Sequence, residues 1–175
     1  MTIRQNFLAG LAAVTLVAGS AAAQSDQSAN RMNANDTFMT KAAQGGMAEV
    51  ELGRLAVKNA SNDEVKQFGQ RMIDDHTKAN DQLKSIAAKK NVTLPAHIDA
   101  KQRSEMNRLS KLNGAAFDRE YMMMMVRDHK QDVSEFEKAS KNESDPDVKS
   151  FASSTLPTLQ EHLKLAEQTE SQIKK

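Results

Sequence analysis

The stretch "DEVKQFGQRMIDDHTKANDQLKSIAAKK", residues 63–90, decides the fold, because its core-type residues recur in steps of three and four. This spacing places them on one stripe of an α-helix. The stripe consists of Val65, Phe68, Met72, His76, Ala79, Leu83 and Ile86. Ser61 or Asn62 can cap the helix, and Asp63 and Glu64 suit the positive end of its dipole. The stretch is therefore predicted to be one long helix with a histidine on its core-facing side.

The same spacing recurs before and after this stretch. It predicts long helices over about 36–59, 115–141 and 145–173, and a shorter, more polar helix over 97–112. Short turns should join the first long helix to the second and the third to the fourth as antiparallel hairpins, which makes the second and third parallel. The predicted fold is all-α: a ferritin-like four-helix bundle with a short extra helix in the crossover between the second and third long helices.

Three residues interrupt these helical patterns. Gly45 and Gly46 lower helix propensity by about 1 kcal/mol each relative to alanine, which predicts a close approach by a neighbouring helix or a kink. Pro157 lies about one turn before His162 and predicts a kink in the last helix.

The first 23 residues have the pattern of a secretory signal peptide. Arg4 is followed by an apolar run over 7–19, and three alanines at 21–23 supply a small-residue cleavage site. The apolar run is too short to span a bilayer comfortably. No cysteine follows it to carry a lipid anchor. We therefore expect cleavage near Ala23/Gln24, export to a bacterial periplasm, and no transmembrane segment in the mature chain.

The remaining chain is predicted to form one domain. Residues 24–35 are polar and aperiodic, which predicts a flexible leader, and residues 36–173 should form the bundle. The chain has 24 Lys and Arg against 23 Asp and Glu, so it offers no basic surface for nucleic acid or for an anionic membrane. The absence of cysteine excludes disulfides, thiolate metal sites and cysteine nucleophiles. No glycine-rich phosphate loop or nucleophile elbow is present, so an enzyme is not the favoured interpretation.

One stripe position in each long helix carries an ionisable side chain where the pattern favours an apolar one. Each lies near the middle of its helix, and long helices packed side by side bring their midpoints to one level. The four side chains are Glu49, His76, His129 and His162. One carboxylate and three neutral imidazoles would form a site for a divalent transition metal, with iron, manganese, zinc and copper all open.

Further polar residues accompany this set. Asp75, Asp128 and Glu161 each precede a histidine directly, so they point about 100° away from it around the helix. They suit hydrogen bonds around a metal site, or surface exposure, better than ligation. Hydrogen bonds among Glu49, the histidines, Asp118 and Tyr121 could instead form a buried network without metal. A metal site, a metal-free structural or interaction module, and a redox enzyme all remain open.

A ferritin-type di-iron centre is not predicted. Such centres use Glu-x-x-His pairs, and the residues three before the histidines are Ile73, Val126 and Leu159. The run "YMMMM", residues 121–125, is typical of adaptable core filling. Its alternatives are a soft thioether contribution to copper(I) binding and a sink for oxidants.

Three segments resemble the bacterial family called domain of unknown function 4142. They are "GGMAEVELGRLAVKNASNDEVKQFGQRMIDDHTKANDQLKSIAAKKNVTLP" (45–95), "FDREYMMMMVRDHKQDVSEFEKAS" (117–140) and "LPTLQEHLKLAE" (156–167). The resemblance covers nearly all of residues 36–170. It implies an exported, ferritin-like helical bundle, often labelled an outer-membrane protein, with no established activity. By position, the family pattern marks Glu49, Asp75, His76, Asp118, Tyr121, Asp128, His129 and His162. Protein partners and homo-oligomerisation stay open.

Overall fold

The computed structural model describes residues 20–174, with side chains described from residue 37 onward. The described chain contains five α-helices and no strand, which confirms the predicted all-α fold. The helices are α1 (Ser20–Asn59), α2 (Asp63–Lys89), α3 (Ala100–Leu109), α4 (Gly114–Asn142) and α5 (Pro146–Ile173). None of the described helices combines the length and apolar character that crossing a membrane requires.

The helix starts follow from side chains that accept hydrogen bonds from backbone N–H groups. Asn62 caps α2 by accepting from the backbone of Glu64 and Val65. Asp145 caps α5, where Pro146 occupies the first turn. α3 begins three residues later than predicted, because Asp99 caps it and completes a capping box with Gln102.

The N-terminal end differs from the prediction. The segment 24–35, predicted to be a flexible leader, lies within α1, which begins at Ser20 rather than near residue 36. Residues 20–44 contain no glycine and no proline, so no residue there breaks the helix. The division into signal peptide, leader and bundle domain stays a prediction, and residues 1–19 of the predicted signal peptide lie outside the described residues.

The four long helices pack as two hairpins. α1 lies against α2 and α4 against α5, the hairpins meet through α2 with α5 and α1 with α4, and α3 contacts α1 and α4. Ring pairs show the direction of the diagonal helices: Phe68 lies 6.2 Å from Tyr121, and His76 lies 5.8 Å from His129. Sequence numbers rise together along these pairs, so α2 and α4 run in the same direction.

The two glycines of α1 have different surroundings. A Cβ at Gly46 would overlap the Asn80 side chain of α2, which fits the predicted close approach of a neighbouring helix. A Cβ at Gly45 would meet nothing within 4 Å. Pro157 lies inside α5, which continues to Ile173; the kink there stays a prediction.

The hydrophobic core has two parts. One surrounds Phe68, Phe117 and Tyr121 and includes Met122, Met124 and Met125. The other surrounds Phe38, Phe136 and Phe151, whose ring centroids lie 5.0–6.5 Å apart. Of the methionine run only Met123 is exposed, at 50%, so core packing accounts for the other three.

A buried polar layer separates the two parts of the core. On α2, α4 and α5 its residue falls between members of one part and members of the other, and on α1 Glu49 lies just inside the first part, after Ala48. The members of this central polar layer are Glu49, His76, His129 and His162. The three histidines lie close together, as the spacing along their helices predicts.

Candidate metal centre

Three histidines from three helices meet in the central polar layer. His76 of α2 is 6% exposed, and His129 of α4 and His162 of α5 are fully buried. Each offers one ring nitrogen that lies within 4.8 Å of those of the other two. The ring centroids lie 5.3–5.8 Å apart. The set therefore has the ligand types and proximity of a transition-metal site.

Hydrogen bonds fix the tautomers of two of these rings. His129 Nδ1 lies 2.9 Å from the carbonyl oxygen of Met125, and His162 Nε2 lies 2.8 Å from Asp75 Oδ2. Carbonyl and carboxylate oxygens only accept, so these two nitrogens carry the protons. The lone pairs then belong to His129 Nε2 and His162 Nδ1, which are buried and have no hydrogen-bond partner among the described residues.

Burial keeps the three imidazoles neutral. It lowers the pKa of His76 well below its usual value, and the neighbouring His129 and His162 lower it further. Burial, followed by the charge of His162, lowers the pKa of His129 to about 4. Burial also lowers the pKa of His162, against the opposing effect of Asp75. Neutral imidazole is the form that binds a metal, so the rings are ready to ligate at neutral pH.

Asp75 orients a histidine on another helix. Its carboxylate leaves α2 beside His76 but binds His162 of α5, and it also pairs with Arg71 at 3.4 Å. A carboxylate hydrogen-bonded to the distal nitrogen of a ligating histidine fixes the ring and raises its basicity. The predicted supporting role suits Asp75, with His162 rather than the adjacent His76 as its partner.

Glu49 lies in the same layer outside the set of three. Its side chain is 4% exposed, and Oε2 is buried without a hydrogen-bond partner in the described part of the chain. Burial, then the charges of Asp132 and Asp128, raise the pKa of Glu49 well above its usual value. Glu49 thus faces carboxylates of α4, and its role as the fourth ligand stays a prediction.

Two other predicted site residues have roles elsewhere. Asp118 accepts hydrogen bonds from Ser61 N, Ser61 Oγ and Asn62 N, at 3.1, 2.5 and 3.1 Å. It therefore holds the turn between α1 and α2 rather than a histidine. Asp128 is half-buried and pairs with Arg127 at 2.9 Å. Asp128 points about 100° away from His129 around α4, whereas Asp118 lies on the same face of α4 about three turns before His129.

Tyr121 remains close to the layer. Its ring stacks on Phe117 at 5.5 Å, and its hydroxyl is buried with no hydrogen-bond partner within the described residues. Burial raises the pKa of Tyr121 well above its usual value, and the charge of Glu49 raises it further. The hydroxyl therefore stays protonated on the Glu49 side of the layer.

Sequence reasoning missed two residues at this site. The Phe68 ring lies 6.2 Å from that of His129 and 6.5 Å from that of His162, so it forms an apolar wall beside the cluster. Burial raises the pKa of Asp132 to about 7, with Asp128 and Glu135 adding to the effect. Asp132 follows His129 by three positions, the spacing that places two residues on one helix face, and this spacing was the available signal.

The donor set fits a tetrahedral ion after small adjustments. Zinc–imidazole bonds of about 2.1 Å in tetrahedral geometry place the nitrogens roughly 3.4 Å apart. The three ring nitrogens, within 4.8 Å of one another, reach that separation through modest side-chain rotation. The three histidines therefore fit three positions of a transition-metal ion, and Glu49 stays the predicted fourth ligand.

Comparison with known proteins identifies a family. The family model described as a domain of unknown function (DUF4142) matches residues 19–169. No curated protein and no solved structure matches the chain. The matched range contains all of the described site residues.

Proposed function

The chain belongs to the DUF4142 family, a domain of unknown function, and we propose that it binds one divalent transition-metal ion through His76, His129 and His162. The proposal rests on side chains of this chain, since the family description assigns no activity. Binding, rather than catalysis, is the proposed role, with metal handling or envelope stress as the context.

The observation that carries the proposal is a set of buried polar atoms without partners. Within the described residues there are five of them, all in or beside the central polar layer: Glu49 Oε2, His76 Nε2, Tyr121 OH, His129 Nε2 and His162 Nδ1. Each unpaired buried polar atom costs about 1–3 kcal/mol. Five together cost about as much as the whole stability of a typical domain. A metal ion would bind the three ring nitrogens and remove most of that cost.

The donor chemistry favours some metals over others. Neutral imidazole suits zinc, copper(II), iron and nickel, whereas manganese prefers oxygen donors. Among the divalent ions expected from the sequence, copper and zinc should therefore bind most tightly, iron less tightly and manganese least. Glu49 would contribute one oxygen if it loses its proton, which a cation beside it would favour.

A second candidate is a metal-free structural or interaction module. The hydrogen bonds of His129 to Met125 and of His162 to Asp75 favour it, because they pair one nitrogen of each ring. It leaves the other nitrogens unpaired, and for this reason metal binding is the better account.

We also propose a fold class and a cellular location for this chain. The two hairpins and the parallel α2 and α4 support a ferritin-like four-helix bundle, in which α3 belongs to the crossover. Export to the periplasm rests on the sequence pattern of residues 1–23. Any association with the outer membrane would follow export.

Metal analysis tests the proposed function. Protein purified without a histidine tag is exposed to iron, zinc, copper or manganese, separated from free ion by gel filtration, and analysed for bound metal. We expect one zinc or copper ion per chain, and its loss in His76→Ala and in His129→Ala. His97→Ala is the matched control, because His97 is exposed in the connection before α3. Binding no stronger than background, or equal binding by all three variants, would reject the site.

A further inference from the structure

A cleft of about 150 Å³ lies between α1, α3 and α4. Five acidic side chains line it, against a single basic one, Lys101. The acidic residues are Glu49, Asp99, Glu105, Asp128 and Asp132. The cleft therefore concentrates negative charge on one side of a chain whose overall charge is close to zero.

Three of these carboxylates have partners. Asp99 caps α3, and Glu105 and Asp128 both pair with Arg127, at 3.1 and 2.9 Å. Asp132 forms no ion pair and no hydrogen bond with any described residue, and Glu49 has its buried, unpartnered Oε2. The carboxyl groups of the cleft that no described cation pairs with are thus those of Glu49 and Asp132, on facing helices.

A second, smaller cavity of about 30 Å³ adjoins this cleft and reaches one of the three histidines; Lys41, which pairs with Glu135, also lines it. Its lining includes His76, and it shares Asp132 and Gly45 with the acidic cleft. Asp132 therefore lies between the outer acidic surface and the metal ligands. Gly45 lines both the cleft and the smaller cavity, and a Cβ at this position would meet nothing within 4 Å. It therefore leaves the passage between them open.

Building on the proposed metal site, we propose that this acidic cleft is the route by which a divalent cation reaches the three histidines, with Asp132 and Glu49 as carboxylate relays. Carboxylates bind a hydrated divalent ion weakly and release it fast, so they can pass the ion along the cleft. The imidazoles of the three histidines bind it more tightly and retain it. A cleft lined by one sign of charge also raises the local concentration of the opposite ion.

Charge rather than size distinguishes this cleft from a wider groove between α2 and α5. That groove measures about 430 Å³ and lies behind Phe68. Its lining carries Arg71, one acidic residue and three glutamines, and none of the three histidines. A cation would meet one acidic residue and no histidine there, whereas the smaller cleft has five acidic residues and adjoins the cavity that His76 lines, so the cleft is the better route.

Loading kinetics test the route. Metal-free protein is mixed with Co²⁺ in a stopped-flow instrument, and the visible absorbance of the bound ion gives the association rate; a chelator then gives the dissociation rate. Asp132→Asn removes a relay charge and should slow association about tenfold. Gly45→Leu fills the passage without changing charge and should slow association and dissociation by the same factor, so that the affinity stays constant.

Asp81→Asn is the matched control, because it removes one carboxylate from the exposed surface of α2, where Asp81 pairs with Lys84. It should load at the wild-type rate. If Asp132→Asn and Gly45→Leu both bind one Co²⁺ per chain at wild-type rates, the route is wrong while the metal site stands. If the wild-type protein binds no Co²⁺, the site and the route are both wrong.

Discussion

The turn between α1 and α2 and the central polar layer both bury a carboxylate, and they treat it differently. Asp118 at the turn is 3% exposed and accepts three hydrogen bonds from Ser61 and Asn62. Glu49 in the layer is 4% exposed, and one of its oxygens has no partner within the described chain. The same bundle thus satisfies one buried acid and leaves the other incomplete.

This difference separates a fully hydrogen-bonded structural group from one whose hydrogen bonding is incomplete. Buried polar groups that stabilise a fold are almost always hydrogen-bonded, because an unpaired one costs free energy. Asp118 follows that rule and fixes the first hairpin. The central polar layer does not follow it: each of its three histidines has an unpaired buried nitrogen, and the three side chains lie close enough to share one ion.

The largest expected effect is at the turn. Asp118→Ala leaves the backbone N–H groups of Ser61 and Asn62 without their acceptor and should lower the free energy of unfolding by about 4 kcal/mol. Chemical denaturation of the metal-free protein measures the change. Asp118→Asn keeps one acceptor oxygen and should cost less. A loss below 0.5 kcal/mol, on the order of a surface substitution, would contradict the structural role.

The pH dependence of stability is the next effect. The pKa of His129 is about 4 in the folded protein and about 6.5 when unfolded, so the unfolded state binds more protons between these values. Neutral His129 therefore contributes about 3 kcal/mol to the free energy of unfolding at neutral pH. This contribution is complete above about pH 6.5 and is lost as the pH falls toward 4. Comparing the unfolding free energies of the metal-free wild-type protein and His129→Leu isolates this term. Carboxylates present in both proteins then cancel.

The unfolding free energy of the wild-type protein, measured relative to that of His129→Leu, should fall steadily from pH 7 to pH 4. A difference between the two proteins that stays constant over this range would show that His129 titrates normally. It would then be hydrated rather than enclosed in the layer.

The smallest expected effect is a gain in stability, whereas the substitution at the turn causes a loss. His76→Leu removes an unpartnered buried nitrogen and replaces it with apolar volume, so the metal-free protein should gain about 1 kcal/mol of stability. The same variant should lose the stabilisation that zinc gives the wild-type protein. Thermal melting with and without zinc measures both. Destabilisation of the metal-free variant would show that His76 already has a partner and belongs with Asp118 among structural groups.

Much of the fold could be predicted from the sequence. Apolar spacing predicted the long helices, and local residues such as Asn62 and Pro146 marked their starts. An ionisable residue on each apolar stripe also identified the polar layer, because helix geometry alone brings helix midpoints together. The N-terminal end of α1 was missed, because a polar, aperiodic segment without glycine or proline has no clear helix boundary.

Partners across helices could not be predicted. The pairing of Asp75 with His162 depends on how α2 and α5 rotate against each other, which stripe positions do not specify. The role of Asp118 likewise depends on which turn the start of α4 meets in space. Asp132 was missed because its importance comes from its burial opposite Glu49 of α1, which a position on α4 does not specify.

X-ray absorption spectroscopy of the zinc-loaded protein identifies the atoms bound to the ion, and therefore shows whether the three buried histidines hold it. We predict a four-coordinate zinc with three imidazole nitrogens at about 2.0–2.1 Å, and no bound zinc in His76→Ala. A spectrum of oxygen ligands without imidazole scattering would show that the ion lies elsewhere on the protein. The buried histidines would then have to be explained without a metal.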